Sequence, residues 1–303
     1  MLMHAADTYL AMRRATGFAL THTEGYLRHF ARFATARGDT HVVATTAVDW
    51  ASIAPSEAQR HHRLQTVRRF ARFMAAEDPR HEIPPEGLFC GRRQRPMPYI
   101  FSDDEIQQLL GAASRLGPPG SIRPQTYSTL FGLLAVTGMR VSEARNLHLH
   151  DVTIDGLLIR ETKFHKSRLL PLHATTCAAL DRYIDQRRRC AGTNPHLFVT
   201  RRGGKLSRTV VSETFHQILK AAGIPHRPTR RRLRLMDLRH TFAVRALERS
   251  PETREAIGRH TLALTTYMGH ACVLDTYWYF EATPQLMTDI ANACETFMHG
   301  GTL

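Results

Sequence analysis

The stretch Val152-Thr153-Ile154-Asp155-Gly156-Leu157-Leu158-Ile159 decides what kind of fold this 303-residue chain adopts. Most of the sequence spaces its apolar residues as helices do, but here an Asp-Gly pair separates two short apolar runs, which is the pattern of a tight β-hairpin. Arg168-Leu169-Leu170-Pro171-Leu172 reads as a further strand, and the turn before it presents Lys163-Phe164-His165-Lys166. The expectation is a mainly α protein with a small antiparallel β-sheet.

Helical patterns flank the hairpin on both sides. Residues 125–149 read as two helices interrupted at Thr137-Gly138, followed by helices over 174–190, 208–222 and 237–248. Thr283-Pro284 then starts a last helix, with Leu286, Met287, Ile290, Ala291 and Cys294 on one side. Toward the N-terminus, Ser102 opens a capped helix with acids in its first turn. Before it, residues 83–98 gather Pro, Gly and Arg and lose the helical period, which marks a linker. The division predicted is a helical domain over 1–90, a basic linker over 91–100 that carries Arg92 and Arg93, and a larger mixed domain over 101–303.

Inside the first domain, Thr21-x-x-Glu24 predicts a capping box ahead of a helix with Leu27, Phe30, Phe33 and Ala34 on one face. Ser56 caps a second long helix whose stripe is Leu64, Val67, Phe70, Ala71 and Met74. Arg60, Arg63, Arg68, Arg69 and Arg72 fall largely off that stripe. They form either a solvated face or a surface for a duplex backbone.

Taken alone the helix favours the solvated face, and the charge balance brings the second use level with it. The chain has 41 Lys and Arg against 27 Asp and Glu, a net charge of +14, and a pI near 10.2. Such an excess points to a polyanionic partner, with nucleic acid first among them. Lys163, Lys166, Lys205 and Lys220 are the only lysines, so part of the arginine count reflects gene composition, and the close pair Lys163 and Lys166 stands out. The five cysteines include no C-x-x-C pair, which fits neither a disulfide framework nor a zinc ribbon. No apolar run approaches the roughly 20 residues that span a bilayer, and the first residues lack the apolar core of a signal peptide. A cytoplasmic protein with no membrane partner is expected.

Four separated pieces carry the chemistry: TGMRVSEARNL at 137–147, the lysine turn at 163–166, DLRHTFAVRAL at 237–247, and YMGHACVLDTYWYF at 267–280. Taken singly, each has a plain structural reading: Arg140 could pair with Glu143, His240 could sit in the core, and Tyr277-Trp278-Tyr279 could simply pack. Together and in this order they resemble the tyrosine recombinase (integrase) family, through essentially the whole C-terminal part. The resemblance implies an N-terminal helical (SAM-like) core-binding domain and a C-terminal α+β catalytic domain that close around a duplex.

The resemblance also implies roles. Arg140, in Thr-Gly-x-Arg-x-Ser-Glu, and Arg239, in Leu-Arg-His, match the two arginines that hold the scissile phosphate. Glu143 matches the acidic position that orients the first of them. Lys163 matches the hairpin lysine that protonates the departing 5′ oxygen, with Lys166 as the lesser candidate and a DNA contact. His270, in Gly-His, matches the imidazole on the phosphate. Tyr279, in Thr276-x-x-Tyr279, matches the nucleophile, Tyr277 being the competing phenol at the wrong spacing. Arg60, Arg63, Arg68, Arg92 and Arg93 are expected on the DNA.

One position departs from the family's pattern. Where the family most often has His-x-Leu-Arg, with that histidine helping to deprotonate the tyrosine, this chain has Met236, whose thioether is no useful base. Three readings follow: another base such as His240 or a nearby imidazole, a slowed enzyme, or a DNA-binding relative that no longer cuts. The expectation is an active site-specific recombinase of double-stranded DNA, working through a 3′-phosphotyrosyl intermediate without metal or cofactor. It is expected to act as a homotetramer on paired sites and to be encoded by a mobile element. The alternatives are an impaired accessory protein and a Xer-like enzyme that resolves chromosome dimers.

Overall fold

The hairpin forms one residue earlier than the Asp-Gly pair suggests. β1 (Val152–Thr153) and β2 (Gly156–Ile159) pair antiparallel with Thr153 opposite Gly156, so Ile154 and Asp155 make the turn. Glycine at 156 serves the next strand: at φ +131° a Cβ there would lie 2.2 Å from the Leu170 carbonyl oxygen. That strand, β3 (Arg168–Leu170), pairs antiparallel with β2 and sets Ile159 opposite Arg168. Among the described residues these three strands make one sheet, in the order β1-β2-β3. Helices dominate the rest, as expected.

The computed structural model describes residues 1–18, 20–89, 98–160, 167–190, 192–224, 232–249, 254–270 and 272–279. The chain divides into two units, residues 1–95 and 96–303. The first unit holds α1 (Leu2–Ala15), α2 (Thr21–Ala36), α3 (Ala44–Ser52) and α4 (Glu57–Ala75), packed around Leu27, Phe30, Trp50, Val67 and Phe70. Ser56 caps α4 by accepting the Gln59 amide. The capping box expected at α2 does not form: Leu20, at φ +47°, stands at its N-cap, and Glu24 pairs instead with Arg14 and Arg28.

The second unit begins with α5 (Asp103–Ser114), where Ser102 and Glu105 complete a reciprocal capping box. α6 (Arg123–Thr137) ends at Gly138, which takes the left-handed conformation at φ +59°, and α7 (Val141–Asn146) follows at once. After the sheet come α8 (Ala174–Cys190), α9 (Arg208–Ala221), α10 (Leu235–Glu248), α11 (Arg254–Met268) and α12 (Leu274–Tyr277). Phe131, Leu134, Tyr183, Phe198 and Phe215 form the centre of the main core. A smaller core joins Ala243, Val244 and Leu247 of α10 to Leu264 and Met268 of α11 and to Tyr279. It positions the site.

Two of these helices lacked a signal in the sequence. α11 contains Gly258 and the β-branched Thr261, Thr265 and Thr266, which are weak helix formers. Each of those hydroxyls donates to the carbonyl four residues earlier, so no polar group is left over. The four-residue α12 is too short to show a period. The last helix expected after Thr283 lies outside the described residues.

Candidate active site

The C-terminal end of α11 gathers three arginines. A helix leaves its last carbonyls without intrahelical partners and carries partial negative charge there, so cations collect at that end. The Tyr267 carbonyl accepts from Arg168 Nε at 2.8 Å, the Met268 carbonyl from Arg239 Nη2 at 2.8 Å, and the Gly269 carbonyl from Arg140 Nη2 at 2.9 Å. Each successive carbonyl takes one guanidinium, from the start of β3, from α10 and from the N-cap of α7 respectively.

Glu143, one turn into α7, ties two of these arginines together. Its carboxylate accepts Arg140 Nη1 at 2.8 Å and the Arg140 amide at 2.9 Å, and takes Arg168 at 3.1 and 2.7 Å on its two oxygens. Burial presses this carboxyl upward, but the bonds from Arg168 and Arg140 outweigh it and hold its pKa below the usual value. Glu143 is therefore an anion that orients cations. Arg168 was not expected here. The signal for it was a basic residue opening the otherwise apolar strand RLLPL.

Arg239 is 4 % exposed and links two helix ends, since its Nη1 also donates to the Gly138 carbonyl at 2.6 Å. Burial, and then the nearness of Arg140, draw its pKa down to about 10, which leaves it charged at neutral pH. Gly269, at φ +65°, turns the chain out of α11 and delivers His270 beside it. His270 Nδ1 lies 2.8 Å from Thr276 Oγ1, which lies 2.8 Å from Thr265 Oγ1, which donates to the Thr261 carbonyl at 2.8 Å. One set of proton directions satisfies all three bonds: His270 Nδ1–H donates to Thr276, Thr276 to Thr265, and Thr265 to Thr261. Burial, with Arg239 and Arg140 adding to it, lowers the His270 pKa to about 4. The ring is neutral at pH 7, with its lone pair at Nε2.

Tyr279 is buried in the small core, whereas Tyr277 is 53 % exposed. The Tyr279 hydroxyl lies 3.2 Å from His240 Nδ1 and is also reached by Arg239. Burial raises the phenol's pKa, and Arg239 and Arg140 offset part of that rise. Trp278 packs edge-on against both the Tyr279 and the His240 rings. Met236, in the first turn of α10, is 39 % exposed.

The structure thus brings together Arg140, Glu143, Arg239, His240, His270 and Tyr279. Lys163, Lys166, Arg92 and Arg93 lie outside the described residues. In the first unit the expected DNA-contacting arginines are engaged by the fold. Arg60 donates to the Ala54 carbonyl at 2.9 Å, and Arg63 lies over the Trp50 ring. Arg68 shares the face of Leu64 and Ala71, is buried, and bonds the Pro84 carbonyl and Glu86. Arg69 and Arg72 are the exposed ones.

Among the described residues, two groups of side chains have metal-ligand chemistry, His41 with Asp78 and His81, and His148 with His150 and Asp151. Several of their donors are already engaged. His81 Nδ1 accepts the Val42 amide, Asp78 is clasped by Arg80, and Asp151 accepts Arg160 and the His148 amide.

A phenol in hydrogen-bonding contact with one guanidinium and an imidazole, with a second guanidinium close by, makes a centre for an anionic phosphoryl group and an oxygen nucleophile. The family model described as the phage integrase family matches residues 100–285. A Sinorhizobium fredii protein, y4rB, whose name describes an integrase/recombinase, is 42% identical over 302 residues, covering 96% of each chain. The tyrosine recombinase XerD of Caulobacter vibrioides is 30% identical over 244 residues, 78% of this chain and 74% of its own. In fold, the XerH site-specific recombinase bound to its palindromic difH substrate superposes with a TM-score of 0.67 at 19% identity, covering 89% of this chain and 78% of that one. The chain belongs to the phage integrase family and is a site-specific tyrosine recombinase, a DNA strand transferase.

Proposed function

We propose that Tyr279 attacks a phosphodiester of duplex DNA held by Arg140 and Arg239, forming a 3′-phosphotyrosyl bond and releasing a 5′ hydroxyl. The observation that carries this reading is the contact of the buried Tyr279 hydroxyl with Arg239, whose neighbour at the α11 end is Arg140. Phosphate oxygens gain charge in the transition state, and preorganised guanidiniums stabilise it. Glu143 and Arg168 hold Arg140 in place. His270 is neutral before DNA arrives, and the phosphate's negative charge draws a proton onto Nε2, so that the ring donates to a non-bridging oxygen.

Lys163 of the β2–β3 connection protonates the leaving oxygen, and Lys166 contacts the backbone nearby. Exchange between two duplexes breaks four strands, and each chain brings one nucleophile, so four copies act together. The likeness to y4rB, named as an integrase/recombinase, supports an integrase, and its carriage by a mobile element is part of the same reading. The phosphotyrosine stores the energy of the broken bond, and rejoining needs no ATP.

A nicked suicide duplex carrying the cognate site tests this reading. Wild-type protein and Tyr277→Phe form a covalent adduct and Tyr279→Phe forms none. An adduct that survives in Tyr279→Phe overturns it.

A further inference from the structure

A buried phenol does not ionise unaided at neutral pH, so the attack by Tyr279 needs a proton acceptor. Position 236, where the family resemblance implies an imidazole, holds Met236, exposed and without a basic atom. His240 stands four residues further along α10, on the same face of the helix. Its Nδ1 lies 3.2 Å from the Tyr279 hydroxyl, within reach for a proton transfer. Its ring is inclined 53° to the phenol and held by the edge of Trp278. The other imidazole near the phenol, His270, has its Nδ1 engaged by Thr276, and its ring lies within 12° of parallel to the phenol.

We infer that His240 is a catalytic residue, the general base that takes the proton of Tyr279 during strand cleavage. This rests on the reading of Tyr279 as the nucleophile. The Oη–H bond breaks and its proton passes to Nδ1 as the Oη–P bond forms. The P–O5′ bond breaks, and the 5′ oxygen is protonated by the hairpin lysine. In rejoining, the incoming 5′ hydroxyl gives its proton back to that lysine, and the imidazolium of His240 returns its own to the departing phenolate. His240 thus lies one helical turn from Met236 on the same face of α10.

The charged and titratable groups around the pair come from several elements. Arg239 on α10 and Arg140 before α7 favour the phenolate; Asp275 of α12 opposes it; His270 stacks beside the ring.

The test is single-turnover cleavage of a nicked suicide duplex by the full chain, across about pH 5.5 to 9, where an imidazole base titrates. His240→Gln is expected to bind the duplex as wild type does, to cleave about 10²- to 10⁴-fold more slowly at neutral pH, and to lose the rise in rate with pH. Added imidazoles are expected to rescue His240→Ala in proportion to their base strength, which a space-filling role would not produce. Met236→His is expected to restore cleavage to His240→Gln.

Three results overturn the inference: a His240→Gln rate and pH profile like wild type, rescue that ignores base strength, or a pH rise that disappears in His270→Gln and persists in His240→Gln. Tyr279→Phe, run alongside, separates the two readings. If it forms an adduct, the nucleophile is wrong. If it forms none while His240→Gln is unaffected, only the base is wrong.

Discussion

Arg168 clasps Glu143 through both ends of its guanidinium, at 3.1 and 2.7 Å, and so fixes the first residue of β3 to α7. Both side chains are nearly covered, at 11% and 6% exposure, which makes this a buried ion pair. Removing one partner of such a pair strands the other's charge and costs about 3–5 kcal/mol. Glu143→Gln is therefore expected to lower the unfolding free energy by roughly that much in denaturant titration. It should also slow suicide-substrate cleavage, because Arg140 loses its partner. Arg168→Lys keeps the charge without the fork, and an intermediate loss is expected.

Acid weakens the same region through two groups. His270 has a folded pKa near 4 against an ordinary 6.5, so between those values the unfolded chain holds a proton that the folded chain does not. Stability therefore falls as pH drops from about 6.5 toward 4. Glu143, held below its ordinary value of 4.5, adds stability above that value and loses it as pH falls further. Denaturant unfolding at neutral pH and at about pH 5 is expected to show the His270 part, and His270→Gln to remove it.

DNA reverses the sign at His270. A phosphate beside Nε2 favours the protonated ring, so duplex binding should take up a proton near neutral pH. Calorimetric titration in buffers of different ionisation enthalpy measures that proton, and His270→Gln is expected to abolish it.

Gly138 marks where α6 must stop. At φ +59° an added Cβ would lie 2.4 Å from the Phe242 ring, and the Gly138 carbonyl is one of the two that hold Arg239. Gly138→Ala is expected to destabilise the protein by more than about 1 kcal/mol and to slow cleavage. Gly223→Ala is the control: its φ is +68° but nothing lies within 4 Å, so only the backbone cost of about 1 kcal/mol remains and cleavage is unchanged.

How far the sequence could be read follows from what each feature depends on. The strands and most helices are local, set by apolar period, by caps such as Ser56 and Ser102, and by Gly138, and their bounds came within a few residues. The hairpin was read one residue out because Gly156 answers to Leu170, a neighbour across the sheet and not along the chain. Arg140, Arg239, His270 and Tyr279 were visible only through resemblance, since nothing in the spacing of residues 129 apart says that Arg140 meets Gly269. Arg168 escaped because its partners, Glu143 and Tyr267, lie 25 and 99 residues away. The burial of Arg68 follows from a face of α4 shared with Leu64 and Ala71, a distinction too fine for a charge count.

The phenol of Tyr279 is packed in the small core of the chain that also supplies Arg140, Arg239 and His240. On the proposed reading each copy therefore holds its own nucleophile, phosphate clamp and base, and an assembly shares out synchrony between its members, not these parts. Mixing Tyr279→Phe with Arg239→Ala chains is expected to yield no more adduct than either alone, because neither can lend the other what it lacks. In the proposed tetramer, control over the four cuts is then a choice of which copy acts, and that choice has to reach a tyrosine that is already in place.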